Sequence, residues 1–158
     1  MSIPIIRKAI ESDIPALLKL LQQVNQLHTD GFPHIFKSGG HKYEADDLNL
    51  LLKDTTTNIF VYDENESVLG YIFCMFEETK ETSNLFPKKT LYIDDLCVDE
   101  NARGKHIGTA LFEYAKNFAV QSHCNRINLH VWSANLSAQK FYESMGMQEL
   151  YKSMELNL

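Results

Sequence analysis

Residues 98–109 read Val-Asp-Glu-Asn-Ala-Arg-Gly-Lys-His-Ile-Gly-Thr. They stand where an apolar run ends and a strongly periodic stretch begins. A glycine-bearing turn that enters a helix aims unpaired backbone N–H groups at one point, and the helix dipole adds to their pull on an anion. Arg103 and Lys105 add positive charge in a chain whose net charge is −6. The local chemistry is that of a phosphate or pyrophosphate cradle. An ordinary strand-to-helix turn with two solvated basic residues would read the same way. Two familiar phosphate loops are excluded: Gly108 is followed by Thr109 and Ala110 rather than Lys and Ser/Thr, and G-x-G-x-x-G is absent.

Three further groups carry potential chemistry. Asp94 and Asp95 lie inside Leu91–Val98, a run apolar at both ends. A carboxylate there can hold an ammonium or take its proton; two solvated acids at a bend is the alternative. Strand alternation sends the two to opposite faces. Tyr142 sits beside Phe141, with Ala138 and Met145 on the same side of a short helix. Its phenol can serve as a proton donor, or the ring can simply fill a core. Cys97 has no neighbouring histidine in sequence, and its apolar neighbours disfavour the thiolate, so a buried thiol is expected rather than a nucleophile. His28, His34 and His41 fall close together without zinc-ligand spacing, and no metal is expected.

The elements that must position these groups follow from pattern. Ile3–Ile10 is β-rich. Ser12 or Asp13 can cap a helix that tolerates Pro15 in its first turn, with Ile14, Leu17, Leu18 and Leu21 as its apolar stripe. Residues 28–41 read as a loop and Ala45–Asp54 as a second helix. Asn58–Tyr62 and Val68–Phe76 flank the polar turn Asp63–Ser67, which makes a hairpin. Glu77–Lys89 reads as a polar loop, and Leu91–Val98 as a strand. Ile107, Ala110, Leu111, Tyr114, Ala115, Phe118 and Ala119 keep the helical period. Arg126–Val131 is a strand, and Leu136–Met145 a helix closed by Gly146. Asn135 can cap that helix, and Met147–Leu156 reads as a last strand or pair of strands. The β-α-β piece from Leu91 to Val131 requires a parallel pair with a right-handed crossover. The fold class is α/β (α+β): one domain over residues 1–158, with a mixed, mostly antiparallel sheet, a central parallel pair and helices on both faces.

Composition narrows the class of function. The 158 residues are 44% hydrophobic and 23% charged, which suits a folded domain and not a disordered chain. A net charge of −6 argues against a general nucleic-acid binder. No apolar run approaches the ~18–20 residues of a membrane span, and the N-terminus lacks a signal-peptide core. Cys74, Cys97 and Cys124 make an odd count without a CxxC pair, so reduced thiols and a cytoplasmic location are expected.

Arg103-Gly104-Lys105-His106-Ile107-Gly108 resembles the [Q/R]-x-x-G-x-[G/A] acetyl-CoA motif of the GCN5-related N-acetyltransferase (GNAT) superfamily. Asn135, Ala138, Phe141, Tyr142 and Gly146 match a second motif of that family, N-x-x-A/S-x-x-F-Y-x-x-x-G. The order of elements agrees with the family fold from end to end. Leu91–Val98 is locally most similar to the diamine (spermidine/spermine) acetyltransferases, which carry an acidic pair where Asp94 and Asp95 stand. One residue departs from the pattern: His106 stands where the family usually has Gly. Histidine is among the non-glycine residues enriched at positive φ, so the turn can survive.

The resemblance implies acetyl-CoA as co-substrate, no metal, and direct transfer to a primary amine in a ternary complex. A small amine or polyamine is favoured; an aminoglycoside or protein amine, or a non-catalytic CoA-binding sensor, is the alternative. It implies that Arg103, Gly104, Lys105, His106, Ile107, Gly108 and Thr109 hold the pyrophosphate. Leu96, Cys97 and Val98 would bind the pantetheine through their backbone, and Asn135 and Tyr142 would also touch the cofactor. Tyr142 would be the general acid and Asp94 the base or ammonium anchor, with Asp95 second. The loop 28–41 would wall the acceptor pocket. Homodimers occur in the family.

Overall fold

Nearly continuous apolar strands need cover on both faces, and the chain supplies it. The computed structural model describes residues 3–158. Along them run β1 (Ile5–Lys8), α1 (Ile14–Gly31), α2 (Ala45–Lys53), β2 (Thr57–Glu64), β3 (Ser67–Thr79), β4 (Lys88–Val98), α3 (Ile107–Gln121), β5 (Arg126–Leu129) and α4 (Leu136–Ser144). The strands lie in the order β1-β2-β3-β4-β5. All neighbours are antiparallel except β4 and β5, which are parallel across the α3 crossover.

Alternation along the strands divides the core into two layers. Ile59, Val61, Tyr71, Phe73 and Cys97 pack under α1 and α2, against Leu17, Leu20, Leu21 and Leu48. Phe60, Ile72, Cys74, Leu91 and Ile93 face the other way, against Ile107, Leu111, Phe112, Ala115 and Ala119 of α3. Gly70 lets α3 sit this close: a Cβ there would lie 2.9 Å from the Cys97 carbonyl oxygen and 3.1 Å from Leu111 Cδ1. Backbone cannot yield as a side-chain tip can. Gly70→Ala is therefore expected to destabilise the fold by ~1–3 kcal/mol, the usual cost of overpacking, read as a lower urea midpoint at unchanged slope.

Several elements differ from their sequence expectation. Helix α1 continues to Gly31, so His28 is helical and the loop begins later. A Cβ on Gly31 would lie 2.7 Å from Ala134 Cβ, so α1 ends in close contact with the segment after β5. Asp13 stands at the N-cap of α1, but its carboxylate turns back to Arg7 and to the Ile10 N–H. The hairpin turn shrinks to Asn65 and Glu66, both at positive φ, the geometry of a two-residue turn that matches strand twist. Residues 77–79 and 88–89 are paired strand rather than loop. Glu77, Glu78 and Lys88 are exposed there, which accounts for the polar composition, while the adjoining Thr90 is fully buried.

β5 ends at Leu129, short of Val131. Residues 147–156 form no strand and are largely solvent-exposed. The parallel pair accordingly lies at the edge of the sheet rather than its centre, because nothing from this segment is added beyond β5. Side-chain bonds hold the segment instead: Tyr151 to His130, and Glu155 to His34.

Candidate active site

Two parallel strands that stop pairing leave one of them with free backbone groups. The β4–β5 ladder runs from Thr90↔Arg126 to Ile93↔Leu129 and ends there. From Asp94 to Val98, β4 is paired only with β3 on its other side. Leu96, Cys97 and Val98 thus offer an open backbone edge, the kind of surface that accepts an extended ligand as an added strand.

The same point carries a bulge. Phe73 pairs with Asp95 and Cys74 with Ile93, so Asp94 is the extra residue. The insertion resets alternation, and the two acids do not go to opposite faces. Asp94 accepts from Lys42 Nζ at 2.7 Å and from Tyr43 OH at 2.6 Å. Asp95 accepts from Tyr71 OH at 2.7 Å. Tyr43 stacks on Phe73, and Phe73 lies against Tyr71, so both carboxylates meet the α1–α2 layer.

Their surroundings differ. Burial pushes the Asp95 carboxyl up to about 6, against the pull of the Tyr71 hydroxyl and the Lys42 charge. The Asp94 side chain is only 9% exposed, with one oxygen on Lys42 and the other on Tyr43. Burial, then the bond to Asp94, raises the Tyr43 phenol well above its ordinary range.

Tyr142 projects from α4 between Phe112 and Phe141, with ring centroids 6.3 and 5.3 Å away. Burial raises its phenol far above the ordinary value, and the Asp95 carboxylate adds to the effect. Asp95 thus lies within electrostatic reach of Tyr142, which packs against the α3 side of the core. Asn135 caps α4, its side chain accepting from Ala138 N at 3.1 Å. Gly146, at φ 94°, ends the helix and lets Met147 N reach Tyr142 O at 3.0 Å. Cys97 is buried and donates to the Leu20 carbonyl at 3.6 Å; burial pushes its thiol up to about 12. That is an inert thiol.

The turn before α3 is built as its residues demand. Asp99 caps a short 3-10 turn through Asn101 N at 2.9 Å. Gly104 takes φ 83°, and His106 stands at the N-cap of α3 with φ 60° and ψ 24°. His106 therefore adopts the left-handed conformation that glycine would supply. No atom lies within 4 Å of a Cβ built on Gly104, so its backbone is open to a ligand. The first N–H groups of α3, which follow directly, have no partner within the helix.

Residues 21–147 match the model of the acetyltransferase (GNAT) family. The chain belongs to that family. By family it is an acetyltransferase, and its single sheet with helices on both faces is the GNAT fold. A variant of the BH1408 protein from Bacillus halodurans is 31% identical, with a TM-score of 0.92 over 98% of this chain and 99% of that one. An uncharacterized N-acetyltransferase of Methanocaldococcus jannaschii is 29% identical over 99 residues, which are 63% of this chain and 42% of that protein. The chain thus matches less than half the length of this curated relative. An aminoglycoside acetyltransferase from an uncultured soil metagenomic sample, 20% identical, shares the fold with a TM-score of 0.72 over 98% of this chain and 96% of its own.

Two parts of this GNAT site are not evident from sequence. Lys42 and Tyr43 sit in a stretch without periodicity, and nothing there pointed to Asp94. Tyr71 did carry a signal, because a tyrosine inside an apolar strand needs a partner for its hydroxyl. Trp132, just after β5, packs on Phe32 and Phe36 at 5.1 and 4.9 Å and joins the end of α1 to the edge of the gap. The three clustered histidines diverge: His34 to Glu155, His41 toward Glu44, and His28 onto Phe36. Among the described residues no group of three His, Cys, Asp or Glu is placed to hold a metal, and no helix is long and apolar enough to cross a membrane.

Proposed function

We propose that this GNAT protein transfers the acetyl group of acetyl-CoA to a small primary amine, of the polyamine class, by direct attack in a ternary complex. One observation carries the reading. The β4–β5 ladder ends at Ile93 and Leu129, so from Asp94 onward β4 keeps a free backbone edge leading toward the turn before α3, with Asp95 in electrostatic reach of Tyr142. Each part has a role in one reaction. Acetyl-CoA supplies an activated thioester. Leu96, Cys97 and Val98 offer backbone groups to its pantetheine arm. The N–H groups around Gly104, Lys105, His106, Ile107, Gly108 and Thr109 would hold the pyrophosphate, with Arg103 and Lys105 adding charge.

The amine arrives protonated, since an alkylammonium has a pKa near 10.4. Asp94 is the anchor for that ammonium. Asp95 receives the proton, directly or through a water, because a carboxyl near 6 is a better base than one near 4 and is still ionised at neutral pH. The amine nitrogen attacks the thioester carbon; the N–C bond forms and the C–S bond breaks. Tyr142 donates to the departing sulfur. The aromatic side chains of Phe32, Phe36 and Trp132 would wall the acceptor side.

Lys42 modifies this picture. Its ammonium already occupies Asp94, where the acceptor would bind. The native pair must open before a cationic amine can bind. Lys42→Met is therefore expected to lower KM for diamines by about fivefold with kcat little changed, the equivalent of ~1 kcal/mol for a half-exposed ion pair. A raised KM would show instead that Lys42 helps to bind the acceptor. The reading as a whole is tested by thiol release from acetyl-CoA with polyamines, aminoglycosides and peptides bearing free N-termini. Turnover confined to polyamines is the expected result. CoA binding without turnover on any amine would indicate a sensor.

A further inference from the structure

We infer, resting on the reading of this site as an amine acetyltransferase, that Lys42 is itself an acetyl acceptor: the chain transfers one acetyl group to its own Lys42 and thereby releases Asp94 for the amine. Lys42 Nζ donates to Asp94 Oδ1 at 2.7 Å and to the Asp94 carbonyl oxygen at 3.4 Å. A primary ammonium thus already stands on the carboxylate assigned to hold the acceptor, one residue past the last β4–β5 pair. Its charge also acts on the Asp95 carboxyl, the group assigned to take the proton. It acts as well on His28, which packs on Phe36 of the aromatic wall. An alkylammonium on a flexible arm, beside both acids, is the proposed substrate class in covalent form.

The side chain has room to make the transfer. Lys42 lies in the connection between α1 and α2, outside both helices, and its side chain is 49% exposed. Other lysines lack this placement. Lys19 lies 3.9 Å from Asp99, Lys152 pairs with Glu149, and Lys89 donates to the Ser122 carbonyl. Among the described residues no other lysine is paired with Asp94 or Asp95. A tethered amine also needs no bimolecular encounter with the site.

The transfer balances as amine acetylation does. The Lys42 ammonium gives one proton to Asp95 and through it to water. The nitrogen lone pair attacks the thioester carbon; an N–C bond forms and the C–S bond breaks. CoA departs as a thiol with the proton of Tyr142, which the second nitrogen proton replaces. The product amide carries no charge. Asp94 keeps the Tyr43 hydroxyl at 2.6 Å but loses its cation, and is left to an incoming ammonium.

For the test, the full chain is incubated with acetyl-CoA and no amine, and its lysines are mapped by mass spectrometry. One acetyl group is expected on Lys42, added ~10²-fold faster than on the other lysines, at a rate per chain independent of protein concentration. Asp95→Asn, purified in parallel and shown to be folded by circular dichroism, is expected to lose this modification and keep the slow background elsewhere. Acetyl-Lys42 present in the wild type as purified and absent from Asp95→Asn is the same result. The acetylated chain is then expected to show a fall in KM for diamines of about fivefold, as for Lys42→Met. An unmodified Lys42, one modified no faster than other lysines or equally in Asp95→Asn, or a rate that rises with protein concentration would each overturn self-transfer. An unchanged KM would overturn the release of Asp94. Thiol release with polyamines on the same preparation separates the two readings. Diamine turnover with Lys42 unmodified removes self-transfer alone. Acetyl-Lys42 without turnover on any amine removes the polyamine reading alone, and the absence of both removes both.

Discussion

Tyr142→Phe is expected to lower turnover by about 10²–10⁴-fold while leaving the affinity for CoA essentially unchanged, the range for loss of general acid assistance. The substitution removes one oxygen. The ring keeps its contacts with Phe112 and Phe141, so the packing of α4 on α3 is preserved. Burial holds the phenol far above its ordinary value, with Asp95 reinforcing the shift, so it remains protonated throughout the range in which amines can be acetylated. A thiol titrates near 8.5, so proton transfer from the phenol is uphill in isolation. The hydroxyl therefore acts by donating to sulfur as negative charge builds there, an interaction made in the transition state and absent from the ground state. That asymmetry separates kcat from binding. The check is steady-state turnover beside calorimetric titration with CoA. An acetyl thioester of a more acidic thiol should recover part of the lost rate, because its leaving group needs less help. A fall in CoA affinity matching the fall in rate would make Tyr142 a packing residue instead.

How far the sequence reaches can be traced residue by residue. The period of Ile107, Leu111, Ala115 and Ala119 marks α3 because a helix facing a sheet must repeat its apolar stripe, and these residues are buried. Asn135 and Gly146 mark the two ends of α4 by local chemistry alone, a side-chain cap and a left-handed turn. The left-handed φ at His106 was legible as a permitted substitution for glycine. The bulge at Asp94 was not, because it is flanked by neither Gly nor Pro and depends on which residues of β3 lie opposite. One inserted residue turns an acidic pair on opposite faces into a pair facing one layer. The bond from Lys42 to Asp94 spans 52 positions, so no local pattern carries it. Residues 147–156 do have strand alternation, yet they pair with no strand of the sheet, because alternation in a segment does not specify the edge it would join.

The bulge also explains why two adjacent aspartates have different tasks. Asp94, as the inserted residue, is free of strand pairing and reaches out to Lys42 and Tyr43, cation and phenol, which are the partners of an anchoring group. Asp95 stays in the ladder opposite Phe73, sinks among Tyr71 and its neighbours, and has its carboxyl raised by that burial. A carboxylate held by a cation and a phenol, next to one whose carboxyl is raised by burial, is the arrangement expected where one binds and the other moves a proton.

Asp95→Asn is the substitution that tests this division. It is expected to lower kcat/KM by about 10²–10⁴-fold and to abolish the acid limb of the pH profile. In the wild type that limb rises through about pH 6, because the carboxyl must lose its proton before it can accept one from the amine. The replacement amide keeps an oxygen for the Tyr71 hydroxyl, so the local structure is retained, but it has no titration to show. Stability gives an independent sign. The folded pKa of about 6 lies above the ordinary aspartate value near 3.9, so the contribution of Asp95 to stability is fully present below about pH 4 and is lost as pH rises through about 6. At pH 8 the wild type carries a partly buried charge that the variant does not. The variant's melting temperature should therefore exceed that of the wild type at pH 8, and the gap should close as the pH falls toward 4. A slower enzyme that is also more stable at neutral pH is the signature of a group kept for its reactivity at the expense of the fold. A variant that loses stability at pH 8, or keeps the limb near pH 6, would move the proton-accepting role to Asp94 or to solvent.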